Sequence, residues 1–141
     1  MKQTIKSTIS IVLSLLFLLS LVACNTVDKS GSWEDAIYRK DKELGKGSKT
    51  LVVEVEAEDQ KVTFTIHTDK ETVGEALMEH ELIEGEEGAY GLYVKKVNGI
   101  TADYDKDQHY WALYIDGEYA MSGVDSTNIE EGVTYRLVRT K

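Results

Sequence analysis

The chain is poor in the residues that build chemistry or staple a fold. It has one cysteine, three histidines and no proline among 141 residues. A single cysteine excludes any disulfide within the chain, so stability has to come from packing alone. No pair of histidines, and no histidine with a carboxylate, stands at a spacing that suits zinc. Nucleophilic catalysis needs a hydroxyl or thiol beside an oriented base, and no serine sits in a nucleophile-elbow context. The expectation is a protein without enzymatic activity. Basic residues are scarce as well. Lys and Arg number 16 against 25 Asp and Glu, for a net charge of −9. Such a surface repels phosphate backbones and excludes nucleic acid as an expected partner.

Long apolar runs are equally rare, and the one present stands at the start. Lys2 and Lys6 precede "ISIVLSLLFLLSLVA" (9–23), which ends at Cys24. A basic patch followed by an apolar run of this length reads as a secretory signal, and it is short for a stable span, which takes about 20 residues. "LVAC" (21–24) resembles a bacterial lipobox. That resemblance implies that Cys24 takes a diacylglyceryl group and becomes the new N-terminus. It places the protein on the extracytoplasmic face of a cell membrane, held there by lipid. The plainer alternative is a signal peptide with an accidental cysteine. Removing residues 1–23 takes away two lysines and makes the remainder more acidic still, with length for one small domain and a tether.

Residues 24–49 are polar and charged, with Gly31, Gly45 and Gly47, and read as a lipidated Cys24 plus a flexible tether. Within them "WEDAIYRK" can form one amphipathic turn using Trp33, Ile37 and Tyr38. That turn docks on the domain or lies on lipid. From residue 50 onward the pattern becomes regular, and 50–141 is the expected domain. "TLVVEVEA" places Leu51, Val53 and Val55 on one face, and "KVTFTIH" does the same with Val62, Phe64 and Ile66. Alternation with β-branched residues predicts half-buried strands joined as a hairpin. Thr72 and Glu75 have capping-box spacing. Val73, Ala76, Leu77, His80 and Ile83 then fall on one stripe before Gly85, predicting a helix over 72–84. "YGLYVKKV", "HYWALYI", "EYAM" and "VTYRLVRT" read as further strands, with hairpin turns at Asn98-Gly99 and Asp116-Gly117. The expected fold is α+β: a β-grasp-like mixed sheet of about five to six strands with one packed helix.

Two stretches could carry binding. Asp103, Asp105 and Asp107 imitate the opening of a calcium loop, but Gln108 and Tyr114 occupy the positions that need glycine and a bidentate glutamate. A solvated acidic loop is the better account. The other stretch is "HYWALYIDGEYAMSGVDS" (109–126). In a strand over 109–115, His109, Trp111, Leu113 and Ile115 share one face, and Tyr110, Ala112 and Tyr114 share the other. Both faces are apolar or aromatic, with Tyr93, Tyr119 and Met121 nearby. One face is core. The other is an exposed aromatic surface of the kind that binds something, unless the Trp33 segment or the helix covers it.

"TDKETVGEALMEHELIEG" together with "YGLYVKKVNGITADYDKDQHYWALYIDGEYAMSGVDSTNIEEGVTYRLV" resembles a bacterial lipoprotein domain of unknown function that is similar to the C-terminal domain of transcobalamin and intrinsic factor. The likeness spans about residues 50–140 and centres on Tyr110-Trp111, the glycine turn, Gly123-Val124 and the Glu-Gly turn before the last strand. It implies a β-grasp-like fold. It also implies cobalamin as a ligand, held against a hydrophobic face where Trp111, Gly123 and Val124 would lie. The animal proteins close that pocket with a large helical domain, which has no counterpart in this sequence. His109 adjoins the motif, with nothing to mark it as a cobalt ligand. The candidate contact residues are Tyr110, Trp111, Tyr114, Tyr119, Met121, Gly123 and Val124. The expected function is a lipid-anchored binding module for a corrinoid or another flat apolar molecule, feeding a transporter component. A lipoprotein that docks a protein or envelope surface through the aromatic hairpin is the alternative.

Overall fold

Nine strands and four short helical turns make up the computed structural model, which describes residues 31–141. The signal segment and Cys24 lie outside the described residues. The two alternating stretches form β2 (Lys49–Ala57) and β3 (Gln60–Thr68), paired antiparallel. Leu51, Val53, Val55, Val62, Phe64 and Ile66 are all buried on one face. Each such side chain removed from water contributes about 1.5–3 kcal/mol. Glu58 and Asp59 close the hairpin, both with positive φ as a type I′ turn requires.

The helix α1 spans Val73–Glu79, shorter than the 72–84 expected. Its capping box is made as the spacing predicts: Glu75 N donates to Thr72 Oγ1 (3.2 Å), and Thr72 N donates to the Glu75 carboxylate (3.1 Å). The end differs because Glu81 takes positive φ. The chain then turns into β4 (Ile83–Gly88), where Gly85 marks a bulge rather than a helix stop. β4 pairs with β5 (Gly91–Val97), which pairs with β6 (Ile100–Thr101) around the expected Asn98-Gly99 turn. This second, three-stranded sheet was not expected. The run "LIEGEEG" carries too little apolar alternation to announce a strand.

A four-residue helix α2 (Tyr104–Asp107) leads to β7 (Tyr110–Ile115), which turns at Asp116-Gly117 into β8 (Glu118–Tyr119). A 3-10 turn over Val124–Ser126 precedes β9 (Thr134–Thr140). β9 inserts between β2, to which it is parallel, and β7, to which it is antiparallel. With a first strand β1 (Lys42–Gly45) at one edge, the main sheet runs β1-β3-β2-β9-β7-β8. This is the α+β, β-grasp-like mixed sheet with a packed helix. Helix α1 lies against the 3-10 turn, where a side chain in place of Gly74 would press on the Asp125 backbone at 3.0 Å.

The expected tether needs correction. Residues 42–45 form β1, parallel to β3 at the sheet edge. Before it, a 3-10 turn at Trp33–Asp35 is capped by Ser32. Trp33 and Ala36 are buried, Tyr38 sits edge-on to Phe64, and Ile37 is exposed. Backbone polar groups explain why a charged segment folds back. Ile37 N donates to Asn98 O (2.9 Å), and Tyr38 N and O bond both ends of the Asn98 amide (3.0 and 2.8 Å). The domain therefore begins well before residue 50.

Candidate functional site

Strand β7 divides its side chains as alternation requires. Trp111 and Leu113 join the core cluster, with Ile115 packed against it. Tyr110 and Tyr114 face the other way. Tyr114 packs edge-on to Tyr119 (centroids 5.7 Å apart) and lies under the Arg136 guanidinium at 5.1 Å. Burial pushes the Tyr110 hydroxyl above its ordinary value, and Tyr119 and Tyr114 push it further. Tyr110 and Tyr114 form a half-exposed patch on the outer face of the main sheet, with the exposed Tyr119 at its edge. The Trp33 segment does not cover them; it packs at the Asn98 turn and Phe64.

On the inner side, β5 and the β7–β8 end do not close against each other. Between them lies a cleft of about 550 Å³. Leu92, Val94, Trp111, Leu113 and Val124 give it apolar walls, and Ser122, Gly123 and Ser126 give it a polar lip. Tyr90, Tyr93, Tyr119 and Met121 complete the lining. Tyr90 is 100% exposed at the tip of the β4–β5 hairpin and Met121 is 95% exposed. Large apolar side chains this far out of a core mark a surface available for contact.

Asp125 holds the cleft's mouth in shape. Its Oδ2 accepts from Leu92 N (3.1 Å), tying the 3-10 turn to β5. The carboxylate reaches so close to Gly91 (φ +99) that a Cβ there would lie 2.6 Å from Oδ2. Gly123 allows the same approach on the other side, at 2.9 Å from Oδ1. Glycine is thus required at position 91, where φ is positive, while at Gly123, with φ −80, a Cβ would press only on the end of the Asp125 side chain.

Of the residues expected from sequence, Trp111, Tyr119, Met121, Gly123 and Val124 come together around the cleft. Tyr110 and Tyr114 do not; the pleat sends them to the outer face. Tyr90, Leu92, Ser122 and Ser126 line the cleft without having been anticipated. Tyr90 carried a faint signal, an aromatic between Gly88 and Gly91 with no apolar partner in register.

The three aspartates are also separated. Asp103 caps α2, accepting from Asp105 N (3.1 Å), and with Asp105 it borders a shallow dent beside Glu86 and Lys95. Asp107 turns inward, where its carboxylate accepts from Arg139 (2.7 Å), His109 N (2.9 Å) and Asp103 N (3.2 Å). Burial works to raise its pKa, but those amides and the guanidinium outweigh it and hold the carboxyl below its ordinary value. Asp107 is spent on the fold, and Gln108 closes the turn in a left-handed conformation. No group of three or more metal-ligating side chains converges among the described residues. His109 Nδ1 is engaged with Asp107 O at 2.8 Å.

Residues 70–134 match the family described as a domain of unknown function, DUF4430. A solved structure from Ruminococcus gnavus ATCC 29149, that of a suggested metal-binding protein, is 33% identical with a TM-score of 0.63, and the match covers 67% of this chain and 98% of that one. The chain belongs to the DUF4430 family. Haptocorrin in complex with Cbi is similar at 20% identity and a TM-score of 0.51, over 70% of this chain. The match spans 26% of haptocorrin, so at this identity the likeness is one of fold. It agrees with the fold that the transcobalamin-like motifs imply. No curated protein matches the chain.

Proposed function

We propose that this DUF4430 protein is a binding module without catalytic activity, lipid-anchored through Cys24 on the extracytoplasmic face of a cell membrane. Its cleft takes a flat, largely apolar small molecule, and a transporter component receives it. A corrinoid is the ligand to try first, on the strength of the fold it shares with Cbi-bound haptocorrin. The observation that carries the reading is the cleft itself: about 550 Å³, lined by apolar side chains and polar groups in equal measure and rimmed by Trp111, Tyr90, Tyr93 and the exposed Met121. Pockets of a few hundred Å³ with apolar walls and a few polar groups are the usual form of a small-molecule site. The metal reading suggested for the Ruminococcus relative has less support, because Asp103, Asp105 and Asp107 point to separate tasks.

The test is a tryptophan-fluorescence titration with cyanocobalamin, corrected for the ligand's absorbance, on the wild type and Trp111→Ala. Saturable micromolar quenching that the substitution removes, with the far-UV spectrum unchanged, is the expected result. No saturable change up to about 100 μM, equivalent to binding weaker than about −5.5 kcal/mol, sinks the corrinoid reading. The outer tyrosine patch favours a second reading, docking of a protein or envelope surface. Tyr110→Ala with Tyr114→Ala leaves the titration unchanged under the first reading. Loss of quenching in that variant, still folded, would move the site to the outer face.

A further inference from the structure

We propose that the occupant of the cleft carries a positive charge on an apolar frame, as a quaternary or delocalised organic cation. This rests on the cleft reading above and gives its ligand a charge. The lining combines four aromatic side chains, Tyr90, Tyr93, Trp111 and Tyr119, with the thioether of Met121. The face of an aromatic ring carries the negative end of its quadrupole and attracts a cation within about 6 Å. The fold already seats cations on tyrosines. Lys95 Nζ lies over the Tyr93 ring at 6.0 Å, and the Arg136 guanidinium lies over Tyr114 at 5.1 Å.

Charge points the same way. No Lys, Arg, His, Asp or Glu is among the described residues lining the cleft. Asp125 stands between two that do line it, Val124 and Ser126, and its carboxylate lies against the backbone of a third, Gly123. Its Oδ2 accepts from Leu92 N, while its Oδ1 is buried without a partner, as are His80 Nε2 and Trp111 Nε1. Lys95 and Arg136 are each matched by a glutamate, Glu86 at 3.2 Å and Glu56 at 3.5 Å, whereas no basic side chain among the described residues pairs with Asp125. The occupant does not touch the buried Oδ1. A carboxylate without a counter-charge acts through its field, which weakens only as the inverse of distance.

Hydration selects the kind of cation. A metal ion or a primary ammonium would give up strong hydration, and the lining holds no charged side chain to replace it. A charge on a quaternary nitrogen or spread over a ring gives up less, and its frame supplies apolar area for the walls. An anion would meet the Asp125 field in a chain of net charge −9.

The experiment compares N-methylquinolinium with 1-methylnaphthalene, the same flat frame with carbon in place of the charged nitrogen, and with 1-naphthoate. Binding to the 15N-labelled full chain is followed through the Leu92 and Gly123 amides and the Trp111 indole N–H. The expected result is saturable shifts there, with the cation bound about tenfold tighter than 1-methylnaphthalene and the naphthoate weakest. Asp125→Asn keeps an oxygen for Leu92 N and should cut the preference for the cation roughly threefold. Tyr90→Leu exchanges a ring face for apolar area at a residue that is 100% exposed, and it too should narrow the preference. Equal binding of the cation and 1-methylnaphthalene overturns this inference and leaves the cleft reading standing. So does naphthoate binding as tight as that of the cation. A preference that survives both substitutions, or shifts that fall instead at Glu86, Asp103 and Asp105, overturns it as well, because the attraction then belongs to the general acidity of the surface. Should Asp125→Asn fail to fold, Tyr90→Leu decides alone. Binding of none of the probes overturns the cleft reading and this inference together.

Discussion

Asn98 serves the fold at three points. It is fully buried, takes positive φ (+49) in the β5–β6 turn, and bonds Tyr38 with both ends of its amide. Alanine would lose both side-chain bonds and strain the left-handed backbone, which asparagine tolerates better. Asn98→Ala is expected to cost about 2–4 kcal/mol in urea unfolding, and Asn98→Gly less, because glycine relieves the backbone part. Equal losses would show that the backbone contributes nothing. Asp107 gives a pH dependence. Its folded pKa lies below the ordinary value of 3.8, so its contribution is complete above about pH 4 and is lost as pH falls through the folded pKa. Acid titration of stability should show a falling limb below about pH 4, and Asp107→Asn should flatten it. A limb unchanged in the variant would assign the acid loss to other carboxylates. The residue scale was partly legible. An Asn-Gly turn can be read from sequence, but not that its asparagine would clasp a segment 60 residues earlier.

Helix α1 shows how local signals and packing divide the work at the scale of elements. Seven residues are too few for an isolated helix to persist in water, so the cap and the buried Val73, Ala76 and Leu77 hold it. Thr72→Ala should destabilise the protein by about 1 kcal/mol, and Thr72→Ser by much less. A neutral alanine variant would mean that packing alone fixes the helix start. The start was legible because Thr72 and Glu75 interact within one turn. The end was not, since Ile83 suits a helix stripe or a strand equally well. What decides it is the pairing of Ile83 with Val97, a partner distant in sequence. The hairpin strands β2, β3, β5 and β7 could be read because alternation and turn residues act locally. β1 could not: its "KELG" has no apolar face, and only the free edge of β3 makes it a strand.

For the molecule as a whole, the segment before residue 50 is part of the core. A chain beginning at residue 50 would lose β1 and the packing of Trp33 and Tyr38. It is expected to unfold with at least about 3 kcal/mol less stability than the full chain, from the two aromatic contacts alone. An unchanged urea midpoint would restore the tether reading. The cleft also belongs to this scale, since β5 and β7 that bound it lie in different sheets. By itself the sequence determined the fold class, the β2–β3 hairpin, the helix start, the glycine turns and the aromatic richness of residues 109–126. Each depends on neighbours within a turn or a strand pair, where period and turn chemistry are written locally. Tertiary structure alone decided which aromatics share a site. The pleat of β7 set Trp111 on the cleft and Tyr110 and Tyr114 on the outer face. The Asp125 strut to Leu92 joined residues 33 positions apart to shape the mouth. A cleft is the space that two distant segments leave between them, and no local pattern encodes that distance.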